Sequence, residues 1–107
     1  MNFDSIKPHI IELAKQDDDI DILWLYGSYA KGTAHEHSDI DLAVVFKSWQ
    51  GDALERRLRS ELLAIEWQKQ LQLNEGELSV LDMEISSIPL AMSVLTTGKL
   101  LLSKNAS

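Results

Sequence analysis

The sequence predicts an α/β (α+β) domain in which a small mixed β-sheet of about four strands is flanked by helices. Three observations carry that expectation. The hydrophobic period switches repeatedly between helical and extended spacing along the chain. At 107 residues the chain has about the commonest size of one domain, so residues 1–107 read as a single domain, too short for a catalytic domain plus a full substrate domain. Its composition is 45% hydrophobic, enough to bury roughly two thirds of the unfolded surface without disulfide or metal staples.

The elements follow in order. Phe3 to Gln16 sets Ile6, Ile10, Leu13 and Ala14 at helical spacing, with Pro8 tolerated near the first turn, and the run Gln16-Asp17-Asp18-Asp19 ends the helix. Ile20 to Tyr26 (IDILWLY) is short, apolar, and rich in β-branched and aromatic residues, which predicts an interior strand closed by Gly27. A short helix in the following loop leads to a second strand, Asp39 to Phe46 (DIDLAVVF), whose first half alternates acid and apolar. After a loop with Trp49 and Gly51, Asp52 and Glu55 form a capping box for a long helix to about Leu71. Leu54, Leu58, Leu62, Ile65 and Leu71 are expected on its core face. Glu77 to Met83 reads as a third strand. Ser87-Ile88-Pro89 starts a short helix to about Leu95 that Gly98 ends, and Lys99 to Ser103 forms a last edge strand. Helices and strands in this order pack as layers covering one sheet.

Composition excludes several classes of function. Ten Lys and Arg against 17 Asp and Glu give a net charge of −7, and a polyanion is repelled by such a surface, so direct nucleic-acid binding is disfavoured. The absence of cysteine removes disulfides, thiolate nucleophiles and Cys-ligated zinc, and fits a reducing compartment. No apolar run reaches the length of a membrane span, and MNFDSIKPHIIELAKQ carries charges where a signal peptide needs its apolar stretch. A cytoplasmic protein with no membrane partner is expected.

One segment concentrates the chemistry: Leu25-Tyr26-Gly27-Ser28-Tyr29-Ala30-Lys31-Gly32, followed by Ser38-Asp39-Ile40-Asp41-Leu42, with ten residues between Ser28 and Asp39. On a strand, Asp39 and Asp41 share a face with Cα atoms roughly 6.5 Å apart. Carboxylates 4 Å apart in a partly dry cleft repel by something like 4 kcal/mol at an effective dielectric near 20. A divalent cation between them reverses the sign. Hard oxygen ligands without cysteine suit Mg²⁺ or Mn²⁺, with a nucleotide's phosphates completing the shell. A strand that ends in glycine and enters a helical turn presents free N–H groups to anions. Gly27 has no side chain to block a phosphate, the Ser28 hydroxyl and N–H both donate, and Lys31 adds a point charge one turn on. Taken singly, Gly-Ser is an ordinary turn and Asp-x-Asp a solvated strand end; together, at this spacing, they form a candidate site.

That pattern resembles the signature of the minimal nucleotidyltransferases of the polymerase-β-like superfamily: Gly-Ser, ten residues, then Asp-x-Asp. Gly27, Ser28, Asp39 and Asp41 match it position for position, and LYGSYAKGTAHEHSDIDLAVVF is similar to the family's strand, turn, short helix and acidic strand. Lys31 stands where an arginine is common, which keeps a charge and loses a bidentate fork. SIPLAMSVLTTGKLLL is similar to the family's last helix and edge strand, so the resemblance covers nearly the whole chain. It implies a polymerase-β-like core and a third carboxylate from a later strand. Within Glu77-Leu78-Ser79-Val80-Leu81, Glu77 is the choice, and Asp82, of opposite strand parity, is the alternative. An ungapped alignment from the last helix puts Ser79 there instead and leaves the third acid absent.

The resemblance implies transfer of a nucleoside monophosphate from Mg²⁺-ATP to a hydroxyl, with Asp39, Asp41 and Glu77 as catalytic and metal-binding residues and Gly27, Ser28 and Lys31 on the nucleotide. Antibiotic nucleotidyltransferases and polymerases that resemble this core carry further domains to hold the acceptor, and this chain is expected to have none. The implied acceptor is therefore a partner: a HEPN-domain ribonuclease toxin, adenylylated on a tyrosine by this chain as its antitoxin in a hetero-oligomer. Two rivals stand beside it, an acidic antitoxin or adaptor that neutralises a partner by occlusion alone, and a small-molecule adenylyltransferase working as a homodimer.

The other conspicuous residues read as structural. His35 and His37 sit in AHEHSD, a solvated loop before the acidic strand more readily than a metal site. Trp24 is expected in the core, Trp67 on an amphipathic helix with its edge exposed, and Trp49 as a lid over the core rather than a flank for an adenine. Arg56, Arg57 and Arg59 form the one basic cluster, read as a salt-bridged helix face before a docking patch.

Overall fold

In the computed structural model, which describes residues 3–35, 38–47 and 52–104, the switches of hydrophobic period become alternating helices and strands. The order is α1 (Phe3–Gln16), β1 (Ile20–Tyr26), α2 (Ser28–Lys31), β2 (Ile40–Phe46), α3 (Ala53–Gln70), β3 (Leu78–Asp82), α4 (Ile88–Thr97) and β4 (Lys99–Ser103). The strands make one mixed sheet in the order β3-β2-β1-β4. β1 runs antiparallel to β2 and β4, and β2 runs parallel to β3. The apolar β1 is thus interior and the short β4 lies at an edge, as their compositions require. None of the described helices is long and apolar enough to cross a membrane.

Strand alternation sends one set of side chains into the main core. Leu23 and Leu25 of β1, Ile40, Leu42, Val44 and Phe46 of β2 and Leu78 of β3 join Ile10 and Ala14 of α1 and Trp67 of α3 in one buried cluster. The other set stands on the opposite face, where Trp24, Tyr26 and Asp41 are only partly buried. Trp24, expected in the core, is therefore half-buried on the far face, across from Ala43 and Leu100.

The face of α3 is a second correction. Leu54, Leu58, Leu62 and Ile65 point outward, with Leu54 67% exposed. Ser60, Ala64, Trp67 and Gln68 are buried instead, so Trp67 is core rather than an exposed edge. Two stripes compete on this helix, and both repeat at helical spacing. Inward polar residues with partners decide between them. Arg56 reaches Glu84 at 2.7 Å, Arg59 pairs with Asp19 and lies 4.5 Å over the Phe46 ring, and the Gln68 carbonyl oxygen accepts the Gly76 N–H at 2.7 Å. Two of the three arginines are thus committed to ion pairs. The Asp52 cap is as expected, its carboxylate accepting the Glu55 N–H at 2.8 Å.

Pro8 lies five residues into α1 and the helix continues through it. The helix there gives up one N–H donor and accommodates the ring against the carbonyl four residues earlier, close to its exposed end. His37 and Trp49 fall outside the described residues.

Candidate active site

The site is built where β1 ends and β2 begins, because the antiparallel pairing of these strands puts the two ends side by side. Tyr26 stands opposite Asp41. The chain leaves β1 at Gly27, which caps α2 with φ 74° and ψ −152°, and the Lys31 N–H donates to the Gly27 carbonyl at 3.1 Å. Gly32 closes the turn in the left-handed conformation, and the Thr33 N–H donates to the Ser28 carbonyl at 3.0 Å. Before β2, the His35 N–H donates to the Ser38 hydroxyl and the Ser38 N–H to the His35 carbonyl, both at 2.9 Å, which ties these two residues together ahead of Asp39. His35 thus acts through its backbone, and its side chain is exposed.

Gly27 and Asp41 approach so closely that a Cβ on Gly27 would collide with Asp41 Oδ2 and lie 3.2 Å from its carboxyl carbon. Only glycine fits, both for that contact and for its backbone conformation. The glycine turn and the acidic strand, separate in sequence, therefore share one end of the sheet. Asp39 is exposed and Asp41 partly buried. The Asp41 carboxyl is held above the usual carboxylate range, first by burial and then by the Asp39 charge. Burial and the Asp41 charge likewise raise the Tyr26 phenol. Tyr26 was missed as a neighbour of the site; the signal was its place directly before Gly27, whose strand must pair with the acidic one.

Lys31 lies exposed at the end of α2, and Ser28, its first residue, is partly buried. The third carboxylate is not brought to the pair. The Glu77 carboxylate turns back onto its own loop, accepting the Asn74 N–H and side-chain amide at 3.1 Å each. Asp82 belongs to the other face: it stands opposite Val44, is 2% exposed, and accepts the Glu84 N–H at 3.0 Å with Arg56 3.9 Å away. The β3 residue opposite Asp41 is Ser79. Among the described residues no three His, Asp or Glu side chains gather at metal-ligand spacing.

The donor set fits a hard divalent cation shared with a phosphate group. Two mutually repelling carboxylates gain from a cation, and the missing side chain at Gly27 lets the turn's backbone lie directly against one of them. Two protein carboxylates leave most of the coordination shell to be completed by a nucleotide and water.

The chain is similar to several known proteins. Residues 8–107 match the Polymerase beta, Nucleotidyltransferase family. The chain is 34% identical over 80 residues to the protein adenylyltransferase MntA of Shewanella oneidensis, covering 75% of this chain and 52% of that protein. It is 33% identical over 90 residues to MJ1305 of Methanocaldococcus jannaschii, covering 81% of this chain and 61% of that protein. The chain thus spans little more than half the length of these curated relatives. Among solved structures, a toxin–antitoxin with AMP-PNP superposes with a TM-score of 0.72 at 27% identity, over 92% of this chain and 74% of that one.

Proposed function

Since the chain belongs to the polymerase β nucleotidyltransferase family, we propose that it transfers AMP from ATP to a hydroxyl of a partner polypeptide, a tyrosine of a HEPN-domain ribonuclease toxin, and so acts as its antitoxin. The observation that carries this reading is the contact between the Gly27 backbone and the Asp41 carboxylate. It joins a place for a triphosphate to a pair of acids within one small site. The curated relative MntA is a protein adenylyltransferase, and the superposed solved structure is a toxin–antitoxin with a nucleotide analogue.

The residues divide the work by chemistry. Gly27 leaves room for the terminal phosphates, and the Ser28 hydroxyl and N–H donate to their oxygens. Lys31 adds a positive charge for the triphosphate. Asp39 and Asp41 would hold a divalent cation, Mg²⁺ or Mn²⁺. When bound, that cation supplies charge neutralisation at the leaving pyrophosphate and lowers the pKa of the attacking hydroxyl. The tyrosine oxygen then attacks the α-phosphorus in line, the bond to the pyrophosphate oxygen breaks, and the phenolic proton passes to solvent or to Asp39, the more exposed acid. Ser79 opposite Asp41 offers a hydroxyl in place of a third carboxylate.

The same serine favours a second reading, an antitoxin that binds nucleotide and partner and neutralises by occlusion. One experiment separates the two. The chain is mixed below stoichiometry with a candidate HEPN-domain partner, ATP and Mg²⁺, and the partner is weighed by mass spectrometry. Transfer adds about 329 Da per AMP unit, a mass set by the chemistry of adenylyl transfer, and silences many partner molecules per chain. An unmodified partner, protected equally by wild type and by the Asp39→Asn/Asp41→Asn variant, refutes transfer and leaves occlusion.

A further inference from the structure

The outer face of α3 is apolar. Leu54, Leu58, Leu62 and Ile65 are 67, 43, 62 and 49% exposed. At 100° per residue they fall in a single stripe on the side of the helix away from Trp67. They leave about 400 Å² of aliphatic surface to water, as much as the largest patch of a typical monomer. A lone exposed leucine needs no account, but a four-residue stripe does.

The charges along one edge of this stripe have a symmetry. Arg57 and Glu61 are both exposed, and among the described residues neither is engaged in an ion pair, whereas Arg56 and Arg59 are. Arg57 and Glu61 are centred on residue 59, Leu58 and Leu62 on residue 60, and Leu54 and Ile65 between the two. These centres agree to within one residue, about 1.5 Å of helix rise. A two-fold axis through that point sets two such helices antiparallel and keeps like edges together. Leu58 then meets Leu62 of the second copy, Leu54 meets Ile65, and Arg57 meets Glu61, each contact made twice.

We propose that this chain self-associates through α3, packed antiparallel against α3 of a second copy across the Leu54–Leu58–Leu62–Ile65 stripe with paired Arg57–Glu61 contacts. The interface is modest. Two stripes bury about 800 Å² between them, short of the 1,200 Å² or more of a stable standard interface. Glu55 and Glu66 on the opposite edge also face each other as like charges. The expected association is therefore weak and reversible.

The test needs only this chain, without nucleotide or partner. Sedimentation equilibrium from about 1 μM to 1 mM reads the constant directly. The expected result is a reversible dimer that Leu58→Glu/Leu62→Glu converts to monomer with an unchanged melting temperature. Arg57→Glu and Glu61→Arg should each weaken it by about tenfold, and the two together should return it to within about threefold of wild type. Glu66→Lys should tighten it by relieving the clash with Glu55, and Met92→Glu on the exposed side of α4 should leave it unchanged. A monomer throughout, a dimer that survives the double leucine substitution, or a charge swap without recovery overturns the proposal. So does a monomeric wild type whose binding to a HEPN partner is lost with the leucine pair, which assigns the stripe to that partner instead.

Discussion

Replacing Gly27 by alanine tests the site's construction most directly, because one methyl group meets two separate obstacles. The first is local. At φ 74° and ψ −152° the backbone occupies a region essentially reserved for glycine, and an L side chain there costs about 1–3 kcal/mol. The second is tertiary, since the new Cβ collides with Asp41 Oδ2 and stands 3.3 Å from the Asp41 Cβ, so the carboxylate must leave the place where a cation would meet it. A combined cost of about 2–4 kcal/mol lowers the melting temperature by roughly 10 °C or more in a domain of this size. Gly32→Ala is the control. Its φ is also positive, at 76°, but nothing lies within 4 Å of the added carbon, so only the left-handed penalty of about 1–2 kcal/mol applies. Thermal shift with and without Mg²⁺-ATP, backed by titration calorimetry, reads both effects. The Gly27→Ala protein should lose more stability than Gly32→Ala and should lose the nucleotide-induced shift that Gly32→Ala keeps. If Gly27→Ala binds Mg²⁺-ATP like wild type, or melts no lower than Gly32→Ala, the convergence of the turn with Asp41 is not what builds the site.

Further expectations concern the acids and the core. Burial and the Asp39 charge raise the Asp41 pKa, so the folded state holds this proton more tightly than the unfolded one. Without divalent ions, stability should then fall as pH rises from the ordinary aspartate range through the raised value. Asp41→Asn should flatten that slope, raise the melting temperature at neutral pH and abolish transfer, as pH-dependent melts and the mass assay would show. Ser79→Asp places a third carboxylate opposite Asp41 and should tighten Mn²⁺ binding, measured by calorimetry without nucleotide. Glu77→Gln should leave that binding unchanged, because the Glu77 carboxylate is occupied with Asn74. Asp82→Asn keeps an acceptor for the Glu84 N–H but loses the charge that strengthens that bond and faces Arg56 at 3.9 Å, so it should lower stability by about 1 kcal/mol, yet still transfer AMP; loss of transfer at full stability would move the third acid to Asp82. Trp67→Ala, at a residue 3% exposed, should cost about 3–5 kcal/mol in a denaturant melt, whereas Leu62→Ala should cost far less.

Much of this protein was legible in one dimension. The element order, the interior place of β1, the edge strand β4 and the Asp52 cap follow from local spacing and composition, which act over a few residues and leave their mark in the sequence. The Gly27-Ser28 turn and the Asp39-x-Asp41 strand were legible for the same reason: a glycine-only conformation and strand parity are properties of short segments. Tertiary structure alone decided which side of α3 faces the core. Two stripes share the helical period, and the choice fell to partners remote in sequence: Glu84 and Asp82 for Arg56, Asp19 and Phe46 for Arg59, and Gly76 for Gln68. It also decided where the β3 acids point. Strand parity separates Glu77 from Asp82, but the parallel register that sets Ser79 opposite Asp41 comes from pairing between strands 38 residues apart in the chain. The turn of the Glu77 carboxylate toward Asn74 likewise comes from the folded loop, in which a nearby pair of N–H donors outcompetes an approach to two like charges.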